Sequence, residues 1–456
     1  MPTKKQLSLF DLSMIVVSLV IGMGIFRTPV NVAAGAQVPE LFFSAWIIGG
    51  LVALCGALTY AEIGSRFPVT GGYYKIFSAF YHPSIAFAIN CIIVVSNAAS
   101  VAGVSLIGSE YFSKIILPAE LQTEFSRIVI AAITIALFYV LNLMGLKVSS
   151  KTQNVLSMVK IGMVLILICA VFVGPGAENI SSSLPAFKTT TGIAPSWTDY
   201  GKALGICLIA VSFTFGGYQQ AINFGGETKE ANRVIPRAIM TGLAIIIVLY
   251  MAINYAYVKV IGFEQLKTAE SIAAILAGKL FGPAGFTILS CLIYFSVLGY
   301  VNVNLLSNPR AMFAMGEEGA LPKVFTKKTK NNEVMFVSLT VFAITSVFTL
   351  FYAQTFDKIL NYTIFLDCIG MATSAATIFF LRKRTAHLDK KTIYSMTLYP
   401  LLPLIFIAAY SFVGISIYAN DPEAGRNGLL IFGGFILIYF INRFFNSKPA
   451  TPNDTN

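Results

Sequence analysis

Charge is what this sequence has least of. Asp, Glu, Lys and Arg make up only 12% of its 456 residues, about half of the roughly 25% that a soluble domain carries. Histidine occurs twice, as His82 and His387, and tryptophan twice. Both histidines sit near the ends of apolar runs, so an imidazole-based catalytic or metal centre has little to draw on. Neither G-x-S-x-G nor H-E-x-x-H occurs, and no Cys/His cluster has metal-ligand spacing. No cofactor is implied, and an enzyme is disfavoured. The six cysteines, Cys55, Cys91, Cys169, Cys207, Cys291 and Cys368, all fall inside apolar runs. They read as small buried hydrophobes rather than disulfides or ligands.

What is abundant is apolar surface, at 56% hydrophobic residues and a mean hydropathy of +0.75. The chain is therefore read as an integral membrane protein. The net charge of +11 would point to nucleic acid in a soluble protein; here its distribution sets orientation, and no nucleic-acid partner is expected. At about 20 residues per span, twelve helices are expected. They run over about 8–33, 41–66, 83–113, 126–145, 152–174, 201–224, 237–261, 281–312, 334–353, 358–382, 394–418 and 428–446. With the amino terminus inside, the cytoplasmic segments hold about 21 Lys and Arg, against about 10 outside. This bias predicts cytoplasmic termini in a multi-pass plasma-membrane protein. Residues 1–7 are too short and polar for a secretory signal, so the first span is expected to stay as an anchor.

Two spans are interrupted at their centres. Ile21-Gly22-Met23-Gly24-Ile25-Phe26 places two glycines mid-span, each costing about 1 kcal/mol against alanine in a helix. Five spans later, Phe213-Thr214-Phe215-Gly216-Gly217-Tyr218 does the same. In hydrocarbon, unwound backbone survives only where it lines a cavity or is covered by protein. Interrupted segments at matching positions in two halves point to a transporter site. A five-span period makes the halves opposite in orientation. The expected organisation is a tail 1–7, an inverted repeat 8–174, an outer connection 175–200, a second repeat 201–384, two further helices in 385–446 and a tail 447–456. Two half-helix amino termini and two carboxyl termini then converge. The first suit a carboxylate and the second an ammonium or a cation, and a free amino acid carries both groups on one carbon. The alternative is that these glycines only permit close helix packing.

These motifs resemble the amino acid–polyamine–organocation superfamily, specifically its L-type amino acid transporter-like branch. Four stretches carry the resemblance. They are the first break with Pro29; Tyr60-Ala61-Glu62-Ile63-Gly64 with Pro68 and Gly71-Gly72-Tyr73; the second break with Glu227-Thr228-Lys229; and Pro309-Arg310 through Gly319-Ala320-Leu321-Pro322. The resemblance implies a LeuT-like all-α fold of two inverted five-helix repeats plus two helices. It also implies a substrate site on Ile21, Gly22, Met23, Gly24, Ile25, Phe213, Thr214, Phe215, Gly216 and Gly217, with Phe213 as outer gate. Met23 stands where the family often has serine, and Tyr218 and Gln219 replace Trp and Asn. Eukaryotic members bind a glycoprotein through a cysteine between helices three and four. Lys114–Arg127 has none, so no disulfide-linked heavy subunit is expected.

Lys160 lies about eight residues inside span five, roughly 12 Å from its end at 1.5 Å per residue. An ionisable residue at that depth is by default functional. By resemblance, its ammonium replaces the cation of sodium-coupled relatives at the carbonyls of the first break. The alternative is a lysine snorkelling to the interface. Asp367 is a deep acid in span ten, while Glu110 reads as a solvated span end. Glu62, Arg66 and Arg310 are either anchors or ion pairs closing an inner gate. A channel would need a charged ring or a carbonyl filter, and neither occurs. The reading is a sodium-independent transporter of neutral amino acids, working as an exchanger. Proton symport, and cationic amino acids or polyamines as cargo, are the alternatives.

Overall fold

A computed structural model of the chain describes residues 6–22, 24–169, 172, 197–269, 272–329, 333–351, 356–389 and 391–446. Met23, most of the 175–200 connection and the 447–456 tail lie outside the described residues. Among those described, regular structure is helical, with two isolated backbone bridges and no strand.

The first expected span is two helices, α1 (Leu9–Val20) and α2 (Gly24–Ala36), bent by 42°. Ser8 opens α1 with a capping box: its side chain accepts from Asp11 N–H, and the Asp11 carboxylate accepts from Ser8 N–H. Pro39 starts α3 (Pro39–Arg66), and an unanticipated short helix, α4 (Gly72–Phe80), follows. Next come α5 (Pro83–Ile116), α6 (Glu124–Leu143) and α7 (Leu146–Ile168). After the 175–200 connection come α8 (Trp197–Phe215) and α9 (Ala231–Ile261). Two short helices, α10 (Phe263–Leu266) and α11 (Ile272–Phe281), lead to the long α12 (Gly285–Glu317). The chain finishes with α13 (Phe336–Leu350), α14 (Phe356–Arg384), α15 (Leu401–Asn420) and α16 (Pro422–Asn446).

Among the described residues, ten helices are long and apolar enough to cross a membrane, and the bent α1–α2 pair makes an eleventh. The ninth expected span is the 15-residue α13, about 22 Å at 1.5 Å per residue, short of a ~30 Å hydrocarbon core. The second break also differs from expectation. Beyond Gly217 the chain winds as a 3-10 turn over Tyr218–Asn223, so one α-helical amino terminus, that of α2, faces the breaks instead of two. A six-residue 3-10 turn sums few peptide dipoles.

Burial sorts the helices. Every residue of α1 from Leu12 to Val20 is buried, so this helix is enclosed by others. Asn154 donates to Asp11 at 2.6 Å and the Ser18 and Ser157 hydroxyls meet at 2.9 Å, docking α1 on α7. By contrast α16 exposes Leu430, Leu437 and Phe444, as a helix facing lipid does.

One end of the bundle is sealed. Glu62, fully buried near the end of α3, accepts from Arg66 at 2.7 Å, from Arg382 of α14 at 2.7 Å and from the Met396 N–H at 2.9 Å. Arg310 pairs with Glu227 at 2.5 Å, both side chains over nine-tenths buried. The amino-terminal segment closes the same end: Gln6 and Leu7 N–H donate to Glu227 O at 2.8 and 3.0 Å, and Lys229 N–H to Leu7 O at 3.0 Å.

Candidate functional site

The first break is built on carbonyls that α1 can no longer use. A helix end leaves its last C=O groups without partners along the chain, and here side chains take them. Lys160, fully buried on α7, donates from Nζ to Ile21 O at 2.6 Å. Its side chain thus runs inward to the break and not toward a span end. Gly299 on α12 lies alongside it, where a Cβ would stand 3.4 Å from Lys160 Cε, at ordinary van der Waals distance. Tyr250 of α9 places its hydroxyl 3.1 Å from Val20 O and 3.4 Å from Thr214 O. One phenol therefore joins the carbonyl ends of α1 and α8.

The second break lies against the first. Gly217 has φ +117°, and a Cβ there would stand 2.5 Å from Leu19 O, so only glycine allows this approach. Its N–H is held by Gln219 Oε1 at 2.9 Å. A Cβ on Gly24 would meet the Thr214 side chain at 3.2 Å, which sets the first residue of α2 beside the last turn of α8.

Between the breaks opens a cavity of about 560 Å³, within the 300–1,000 Å³ range of small-molecule sites. Gly22, Gly24, Phe213, Thr214, Gly216 and Gly217 line it. Ile21 contributes its carbonyl to Lys160 and is fully buried, Ile25 is likewise in the core, and Phe215 packs on Trp46 and Tyr250 with ring centroids 6.0 and 5.2 Å away. These three are behind the cavity wall. Lys160 is behind it too, one residue removed through Ile21. Met23 falls outside the described residues.

Exposure gives the cavity a direction. Arg27 and Asn31, one and two turns into α2, are exposed, and Phe213 is 43% exposed, whereas Leu19, Tyr73 and Asn304 are buried. The mouth is on the α2 side and the floor faces the sealed end.

Sequence reasoning passed over much of the far wall. Asn97 of α5 donates to Asn308 of α12 at 2.7 Å, and the Ser100 and Tyr300 hydroxyls meet at 2.7 Å. Asn304 and Asn308 lie four residues apart in an apolar helix, a visible signal of a polar face turned inward. Tyr250 gave none, being one of 20 tyrosines. Asp367 of α14 does line the cavity. Glu110 pairs with Lys114 at 2.9 Å with both side chains partly exposed.

An enclosed break, a largely apolar cavity with polar groups in its wall, open to one side, and a buried lysine at the broken backbone are parts of a carrier for a small solute. Known proteins agree. The chain is 28% identical to the serine/threonine exchanger SteT of Bacillus subtilis, over 96% of each chain. It is 24% identical to the mouse large neutral amino acids transporter small subunit 2, over 99% of this chain and 83% of that one. It is 25% identical to the human cystine/glutamate transporter, over 98% and 87%. These relatives are transporters, and the model of the amino acid permease family matches residues 7–441. With both breaks, Lys160 and the Glu62 and Arg310 ion pairs all inside that match, the chain belongs to the amino acid permease family.

Proposed function

We propose that this protein is a sodium-independent exchanger of neutral amino acids, working by alternating access across the plasma membrane with both termini cytoplasmic. The observation that carries the reading is the Lys160 Nζ on Ile21 O at 2.6 Å. A fixed ammonium occupies a carbonyl of the broken helix, where a coupling cation would otherwise be needed to offset the negative end of α1. The unpaired N–H groups at the start of α2 suit the substrate carboxylate, and the carbonyl ends of α1 and α8 suit its ammonium.

Two inverted repeats, 8–174 and 201–384, supply one break each, so swinging the broken spans relative to each other and to the remainder moves the site between faces. In the lysine-bias orientation the cavity faces outward. Phe213 at its mouth is the outer gate, and Glu62, Arg66, Arg382, Glu227 and Arg310 form the inner one. The exchanger relative supports exchange. The test is uptake of labelled amino acids into proteoliposomes, with sodium replaced by choline. Uptake only into vesicles preloaded with amino acid is the expected result. Uptake that needs sodium would remove the role given to Lys160. Uptake into empty vesicles driven by a proton gradient would replace exchange by symport.

A further inference from the structure

Among the described residues, the cavity has one acidic residue in its wall, Asp367, and its position is set by helical spacing. Asp367, Met371 and Ser374 fall at i, i+4 and i+7 along α14, on one face. The lower part of that face is engaged: Tyr60 O–H reaches Met371 O at 3.2 Å and also pairs with Ser374, and the Tyr73 and Ser374 hydroxyls meet at 3.3 Å. One turn earlier Asp367 meets the cavity, and among the described residues no hydrogen bond or ion pair reaches its carboxylate. The wall that α5 and α12 build is different, since Asn97 donates to Asn308 and the Ser100 and Tyr300 hydroxyls pair. Arg27, the cavity's cationic residue, stands exposed toward the mouth and is not ion-paired with Asp367.

We propose that Asp367 selects the transported amino acid, its carboxylate accepting from a hydrogen-bond donor at the end of the substrate's side chain. The inference rests on the cavity being an amino acid site, with the breaks holding the α-carboxylate and α-ammonium and leaving the side chain to the walls. An ionised carboxylate accepts and cannot donate. At the wall of the open cavity, it is within reach of water. When the cavity occludes around a substrate the water is lost, and a carboxylate left without a donor is penalised heavily. A donor on the cargo removes that penalty, an aliphatic side chain does not, and an acidic one adds repulsion. A hydroxyl, as in serine or threonine, and an ammonium, as in ornithine, share this chemistry.

Threonine and valine, which differ by a hydroxyl in place of a methyl, test it. In preloaded proteoliposomes the wild-type protein should favour threonine by at least about tenfold in kcat/KM, the lower range for a hydrogen bond to a charged group. Asp367→Leu should bring that ratio to within about threefold of one. Asp367→Asn keeps an acceptor and should keep most of the threonine preference while abolishing any advantage of ornithine. An ornithine advantage in the wild type that this variant removes would make the ammonium the preferred donor. If Asp367→Leu does not reach the membrane, threonine against valine in thermal stabilisation of the detergent-solubilised wild type gives the same comparison. Wild-type exchange of valine as fast as threonine, or a ratio unchanged in Asp367→Leu, overturns the assignment while leaving the exchanger intact. Exchange of no amino acid at all overturns the exchanger itself.

Discussion

Replacing Lys160 with methionine is the most direct probe of the first break. The two side chains are similar in length, so packing is largely kept and the ammonium alone is removed. Two quantities then change. The 2.6 Å charge-assisted bond to Ile21 O disappears, and hydrogen bonds to charged groups contribute about 1.5–3 kcal/mol. The Ile21 carbonyl, on a residue with no exposed surface, is left without a donor, which costs about 1–3 kcal/mol. These are two descriptions of one loss and do not add. Taken as about 1.5–3 kcal/mol, the change lowers kcat/KM for exchange by about 10–150-fold. Lys160→Arg should fail as well. A guanidinium brings five N–H donors to a fully buried site where Ile21 O is the acceptor that Lys160 reaches. The assay is counterflow of a labelled neutral amino acid in proteoliposomes, with surface expression and detergent melting measured in parallel. Exchange by Lys160→Met within twofold of wild type, in KM and in rate, would refute the role of the ammonium at the break.

Other perturbations test the same geometry. Gly217→Ala imposes a side chain at φ +117° and 2.5 Å from Leu19 O, so exchange should fall at least about tenfold with the protein still inserted; an active alanine variant means the two breaks do not meet as described. Tyr250→Phe removes the hydroxyl shared by Val20 O and Thr214 O and should lower stability by about 1 kcal/mol, read as a melting point reduced by a few degrees. Glu62→Leu removes the fully buried acceptor of Arg66 and Arg382, leaving them only hydroxyl and main-chain partners. Breaking a buried pair this way costs about 3–5 kcal/mol, so the melting point should drop sharply; an unchanged one would show that the sealed end is held elsewhere.

Much of the site was readable because membranes make local violations conspicuous. Gly22, Gly24, Gly216 and Gly217 stand out in apolar runs where an intact helix would not place them, and Lys160 stands out as a charge where lipid offers no solvent. The winding of the chain past the second break was not readable. Nothing in Tyr218-Gln219-Gln220 favours a 3-10 turn over an α-helix, because that choice is made by Gln219 folding back on Gly217 N–H. Phe215 and Phe213 are two residues apart and alike in sequence. Packing separates them, burying the first against Trp46 and leaving the second at the mouth. Arg382 reaches Glu62 across 320 positions of sequence, and no pattern of nearby residues encodes that meeting. Tyr250 shows the same limit, as the two carbonyls and the rings of Trp46 and Phe215 that meet it are brought by other helices.

The amino-terminal segment has a practical consequence. Its three main-chain bonds with Glu227 and Lys229 tie the start of α1 to the stretch beyond the second break, so any swing that parts those two elements must unlatch it. The amides of Gln6, Leu7 and Lys229 then become a built-in clock. Their hydrogen–deuterium exchange should quicken when substrate is supplied on both sides and slow when the carrier is locked outward by an inhibitor. Turnover could thus be timed from the protein's own backbone, without attaching a probe.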